Sequence, residues 1–156
     1  MIIEICCSSQ ASFHKAIKGG ASRIELCENL LEDGITPTSG FLKDVLDQTS
    51  VPVHVLIRPR SGNFFYSSKE VKTIAVQIEI ARSMGASGVV IGALNKDHSL
   101  PMKILKNWVK IAQSLDLTFH RAFDQVINPK ESLKKIMDLG FNRVLTSGRQ
   151  VEAVQG

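Results

Sequence analysis

The stretch Leu117-Thr118-Phe119-His120-Arg121-Ala122-Phe123-Asp124, LTFHRAFD, decides how the chain is read. Its apolar spacing predicts a β-strand over Leu117–Phe123, yet the run carries a histidine, an arginine and an aspartate. Charged groups inside a strand need a partner, a binding site or water. Strand side chains alternate between faces, so Thr118, His120 and Asp124 are expected on one face and Phe119 on the other.

The same division recurs in the other strand-like runs, Ile2–Cys6, Arg23–Cys27, Val51–Arg58, Gly88–Leu94 and Arg143–Ser147. Glu4 pairs in parity with Cys6, Arg23 and Glu25 with Cys27, and His54 with Arg58. Ile3, Ile5, Ile24, Leu26, Val53, Val55 and Ile57 take the opposite parity and are expected to face helices. Between the runs lie helix signals. Ser67-x-x-Glu70 is a capping box ahead of a helix ending at Gly85. Asn128-Pro129-x-Glu131 opens another that stops at Gly140. GASRIEL (20–26), GASGVVIG (85–92) and GFNRVLTSG (140–148) repeat a helix-ending glycine followed by a buried strand.

Alternating strands and helices with short connections imply right-handed βαβ units and a parallel sheet. An open sheet covered by apolar helices on both faces would strand the charges. A barrel turns them inward, where they can pair near its C-terminal mouth. The chain is therefore read as α/β, a TIM (β/α)8-type barrel with about six βα units present, residues 1–156 forming a single incomplete domain. Such barrels usually need about 200 residues or more. The expectation is a truncated barrel with the edges of its first and sixth strands open, or a homo-oligomer, such as a dimer, that covers them.

Composition narrows the classes. Hydrophobic residues make up 44% and charged ones 22%, an ordinary globular balance. The net charge of +4 is spread over predicted helices, and one Trp and one Tyr give no stacking platform, so no nucleic-acid partner is expected. MIIEICCSSQ has neither a basic start nor an apolar run of signal-peptide length, and no window approaches a membrane span. Three cysteines, an odd number, argue for reduced thiols in the cytoplasm.

Four clusters carry candidate chemistry. His120 can act as acid or base, with Asp124 orienting it and Arg121 holding an anion; equally, it can be a satisfied core histidine. In VLIRPRSGNFFYS (55–67), Arg58 and Arg60 suit an anionic ligand, or Arg58 neutralises Glu4 or Glu25. Cys6 and Cys27 end adjacent strands with inward parity, so their sulfurs can meet and suit a soft, low-coordinate ion such as Cu(I); reduced cysteine is also a small core residue. Cys7 has the opposite parity. Thr146 and Ser147 end the sixth strand beside Gly148, where amides can bind an anion or simply form a turn. EDGITPTSG (32–40) reads as a loop over the mouth.

EIC, GGASRIELCENLLEDGITPTSG, VPVHVLIRPRSGNFFYS, LTFHRAFD and RVLTSG, in this order, resemble the CutC family of copper homeostasis proteins. The resemblance implies a TIM barrel, a cytoplasmic setting, a role in copper handling and Cu(I) thiols at Cys6 and Cys27. It places a charged pocket at Glu4, Arg23, Glu25, His54, Arg58, Arg60, His120, Arg121 and Asp124. It also implies at least two further βα units. Three functions remain. One is Cu(I) binding at the barrel mouth. The second is an enzyme using Glu25, His120 and Asp124 as acid–base groups on a small anionic substrate held by Glu4, Arg23, His54, Arg58, Arg60, Arg121, Thr146 and Ser147. The third is an oligomeric scaffold.

Overall fold

The structure, a computed structural model, describes residues 1–156. Strands and helices alternate along the chain: β1 (Glu4–Cys7), α1 (Gln10–Lys18), β2 (Arg23–Leu26), α2 (Ser39–Leu46), β3 (Val53–Leu56), α3 (Ser68–Ser83), β4 (Gly88–Ile91), α4 (Met102–Ala112), β5 (Asp116–Phe119), α5 (Pro129–Asp138) and β6 (Arg143–Val144). The six strands are parallel and lie in sequence order. β1 pairs only with β2 and β6 only with β5, so the sheet is a half-barrel, part of a TIM barrel.

Local chemistry sets the helix boundaries. Ser67 and Glu70 exchange side-chain and backbone bonds at the start of α3. Asn128 caps α5, Pro129 fills its first turn, and Gly140 follows its end with φ of 93°.

The alternating faces bury two different interiors. A core cluster of 31 buried residues joins the outer strand side chains, among them Ile24, Val55, Val89 and Phe119, to helix residues such as Phe13, Ile78, Leu105 and Trp108. Trp108 is fully buried, and its indole N–H donates to the Val71 carbonyl at 3.3 Å, tying α4 to α3. On the inner face a separate cluster contains only Cys27, Leu56 and Val90. The rest of that face is polar, as a barrel interior requires of this sequence.

Three expectations are corrected. Ile3 and Ile5 were expected to face helices, but they are 45% and 38% exposed because β1 is an edge strand with no further unit against it. The fifth strand stops at Phe119, not at Phe123. His120 caps a 3-10 turn over Arg121–Gln125, its Nδ1 accepting the Ala122 N–H at 3.2 Å, so strand parity never reaches Asp124. The sixth strand is only Arg143–Val144, because residues from Leu145 onward turn to meet Asp124. No helix is long and apolar enough to cross a membrane.

Candidate functional site

The inner face is layered from the N-terminal to the C-terminal ends of the strands. At the N-terminal end Glu4 pairs with Arg23 across β1 and β2. Arg143 Nη2 donates to Asp116 at 2.5 Å and approaches His54 Nε2 at 3.5 Å. Burial, followed by the charge of Arg143, holds His54 down at about 4, so it is neutral at ordinary pH and accepts from Arg143. This layer is a polar network of two carboxylate–arginine pairs and one imidazole, in which His54 Nδ1 and Arg143 Nε are left without partners. Glu4, Arg23 and His54 therefore sit at the opposite end from the cavity described below.

One step further in, the sulfurs of Cys6 and Cys27 are 3.5 Å apart, and Cys6 Sγ lies 3.8 Å from Glu25 Oε1. The register explains this: Cys6 is opposite Glu25, and Cys27 follows two residues later on the same face. Cys27 is fully buried, while Cys6 lies exposed on the edge strand. The bond to Cys27 and burial push the Cys6 thiol up, and the bond from Cys6 draws Cys27 down, towards the thiolate. Burial, then the charge of Glu4, raises Glu25 to about 7. Cys7 points the other way, into the core cluster. No group of three or more His, Cys, Asp or Glu side chains is arranged to hold a metal ion. The donor set therefore fits a soft ion of low coordination and no harder, higher-coordinate one.

At the C-terminal ends lies a cavity of about 420 Å³, lined among others by Glu25, Leu56, Arg58, Phe64, His120, Arg121 and Asp124. Arg58 reaches it from the end of β3, but it does not neutralise Glu4 or Glu25. Its Nη1 donates to the carbonyls of Glu32 and Gly34 at 3.0 Å each, and its Nη2 to that of Gly62 at 2.8 Å. The loop after β2 is thereby drawn onto the strand ends. Gly34, with φ of 80°, fits there because a Cβ would lie 2.9 Å from Leu56 Cδ2. His120 is 4% exposed. Burial, then Arg58, lowers it to about 3, leaving a neutral imidazole.

Two sequence candidates serve other ends. Arg60 does not line the cavity; it pairs with Glu70 at 2.5 Å and donates to the carbonyls of Ser61, Asn63 and Phe65, bracing the start of α3. Asp124 makes no bond to His120. Its carboxylate accepts from Arg121, the Thr146 and Ser147 hydroxyls, and the amides of Ser147 and Arg149. Burial raises this carboxyl, but those donors outweigh it and hold the group at about 2. The amide turn expected to bind an external anion is thus filled by the chain's own carboxylate.

Sequence reasoning missed Phe64 and Gly92. Phe64 packs on His120 with ring centroids 4.7 Å apart, and the Arg58 guanidinium lies 5.2 Å from the same ring. Gly92 leaves room for the His120 ring. The signal for Gly92 was its inward parity with Gly88 and Val90 on the fourth strand run.

The CutC family model matches residues 1–156, the whole chain. The chain belongs to the CutC family. It is 44% identical over 155 residues to the mouse copper homeostasis protein cutC homolog, covering 99% of this chain and 57% of the mouse protein. The crystal structure of a Streptococcus agalactiae CutC protein superposes with a TM-score of 0.90 at 32% identity, covering 97% of this chain and 75% of that one. An Escherichia coli aldolase matches at TM-score 0.65 and 15% identity, covering 92% of this chain and 51% of the aldolase, a likeness of fold alone. This CutC-family chain spans less than two thirds of the length of the curated relatives it matches.

Proposed function

We propose that the chain acts in copper homeostasis, in the cytoplasm, by taking up Cu(I) between Cys6 and Cys27. The observation that carries this is the 3.5 Å separation of two free sulfurs inside the half-barrel. The contact between the sulfurs raises the Cys6 thiol and lowers Cys27, which favours the thiolate, the form that ligates a soft metal, on Cys27. Uptake by both sulfurs as thiolates displaces their thiol protons, and Glu25, 3.8 Å from Cys6 and titrating near 7, is placed to receive one of them, the other passing to solvent. The name of the mouse relative supports the same role.

The test is a Cu(I) competition titration against a chromophoric chelator on the wild type, Cys6→Ser, Cys27→Ser and Cys7→Ser. Binding should fall at least tenfold in either of the first two variants and hold in Cys7→Ser. Equal, weak binding by all four would refute a thiol site.

A second reading is acid–base chemistry, of a lyase, isomerase or hydrolase kind, on a small anionic substrate. Glu25 favours it, since a carboxyl titrating near 7 beside a cavity can both take and give a proton at neutral pH.

A further inference from the structure

Cys27 carries one of the two sulfurs that meet inside the half-barrel, yet it is fully buried. The segment that follows it in the chain supplies part of that cover. After β2 the backbone makes a single 3-10 turn over Leu30–Glu32 and returns at Ile35, where Glu28 and Ile35 exchange backbone bonds of 3.0 and 2.8 Å. The return lays Gly34 on the cysteine: a Cβ there would sit 3.5 Å from both Cβ and Sγ of Cys27. Leu56, which that Cβ would meet at 2.9 Å, joins Cys27 and Val90 in the small inner cluster. Asp33 and Leu56 line the cavity at the strand ends and Cys27 does not, so the segment and Leu56 partition the sulfur from the cavity.

Little holds this cover down. Asn29 to Asp33 are all exposed, Leu31 almost wholly, so side-chain packing does not anchor the turn. Its own backbone bonds, from Glu32, Asp33 and Gly34 to Asn29 and Leu30, stay within the segment, which lets it move as one piece. Thr36, just beyond, is pinned to the Arg58 backbone, leaving the bridge of Glu28 and Ile35 as the hinge. The remaining tie is the buried Arg58 side chain, whose Nη1 donates to the carbonyls of Glu32 and Gly34 while Nη2 holds Gly62 in the next loop. Segments that bury little apolar surface open locally, at a lower cost than unfolding the whole domain.

We propose that residues 29–34 are a lid over Cys27, latched by Arg58, and that its opening lets a ligand in between the two sulfurs. The inference rests on the copper reading above and adds the step by which the site is reached. Its test uses no metal, so failure of the lid and failure of the thiol site are told apart.

The test is alkylation by N-ethylmaleimide of the native chain carrying Cys6→Ser and Cys7→Ala, which leaves Cys27 as the one thiol. Its rate, divided by the rate in the urea-unfolded chain, gives the fraction of time Cys27 is open; urea denaturation of the same protein gives the fraction globally unfolded. The open fraction should exceed the unfolded fraction at least tenfold. Arg58→Gln should raise the open fraction tenfold or more. Ile136→Val, a change in the core under α5 far along the chain from the lid, should raise global unfolding and leave the Cys27 rate where it was. The lid is overturned if Cys27 reacts as fast as in the unfolded chain, if Ile136→Val speeds it as much as it speeds unfolding, or if Arg58→Gln leaves it unchanged.

Discussion

Replacing Gly92 with alanine inserts one methyl group against the buried imidazole of His120. A Cβ at Gly92 would lie 2.6 Å from Cε1, 2.7 Å from Nδ1 and 3.3 Å from Nε2 of that ring. The backbone at Gly92 lies outside the left-handed region, so alanine suits it and the whole cost comes from the ring. The ring cannot simply retreat, because Phe64 packs against it at 4.7 Å. Overpacking of this kind costs about 1–3 kcal/mol, and losing the Ala122-to-Nδ1 bond adds about 1 kcal/mol. A loss of about 2–4 kcal/mol is a large share of the roughly 5–15 kcal/mol that holds a domain together. It corresponds to a fall in Tm of about 4–16 °C for a chain of this size. Urea denaturation of Gly92→Ala, His120→Ala and the double variant measures it. With the imidazole removed, the added methyl should cost less than about 0.5 kcal/mol, within the range of an unopposed surface change. If Gly92→Ala costs the same in both backgrounds, the ring is not what the glycine makes room for.

Glu25 sets the sign of one pH dependence. Its carboxyl titrates near 7 in the fold against an ordinary 4.5, so between those values the folded state holds a proton that the unfolded chain has lost. Stability should therefore fall as pH rises through that interval, by at most about 3 kcal/mol. Glu25→Gln should remove the slope and be the more stable protein above pH 7, read from denaturation midpoints; parallel pH curves for the two proteins would contradict the burial argument. For His120, nitrogen-detected NMR should show a neutral ring protonated at Nε2 and no titration until pH approaches about 3. A midpoint near the ordinary 6.5 would contradict the burial argument, and a proton on Nδ1 would contradict the cap on Ala122.

The division of faces was legible because strand alternation is a local property. Inward parity alone placed Cys6 near Cys27 and sent Cys7 to the helix layer, and the structure has both. The end of β5 was not legible. Leu117, Phe119 and Phe123 continue an alternating pattern, while the competing interaction, His120 capping its own turn, depends on a ring nitrogen meeting an amide two residues on. Asp124 was misplaced for a different reason. Its partners, Thr146, Ser147 and Arg149, lie 22 to 25 residues away, and no periodicity reports a contact at that range. Arg58 shows the same limit from the other side: charge counting offered it Glu4 or Glu25, but backbone carbonyls reached it first. Carbonyls carry no signature in the sequence.

The carboxylate of Asp124 closes a neck. The 22-residue excursion that holds α5 leaves β5 and returns to the end of β6, and both ends of the excursion meet at this one side chain. That neck is one tie among several, because β6 also pairs with β5, Arg143 holds Asp116, and Ile136 and Phe141 are anchored in the core cluster. On that side the rim of the cavity is thus fastened by an ionisable clasp, seconded by Arg121 bonded to Ser147 and to the Gln150 carbonyl. Unfastening it takes strong acid, since the group titrates at about 2.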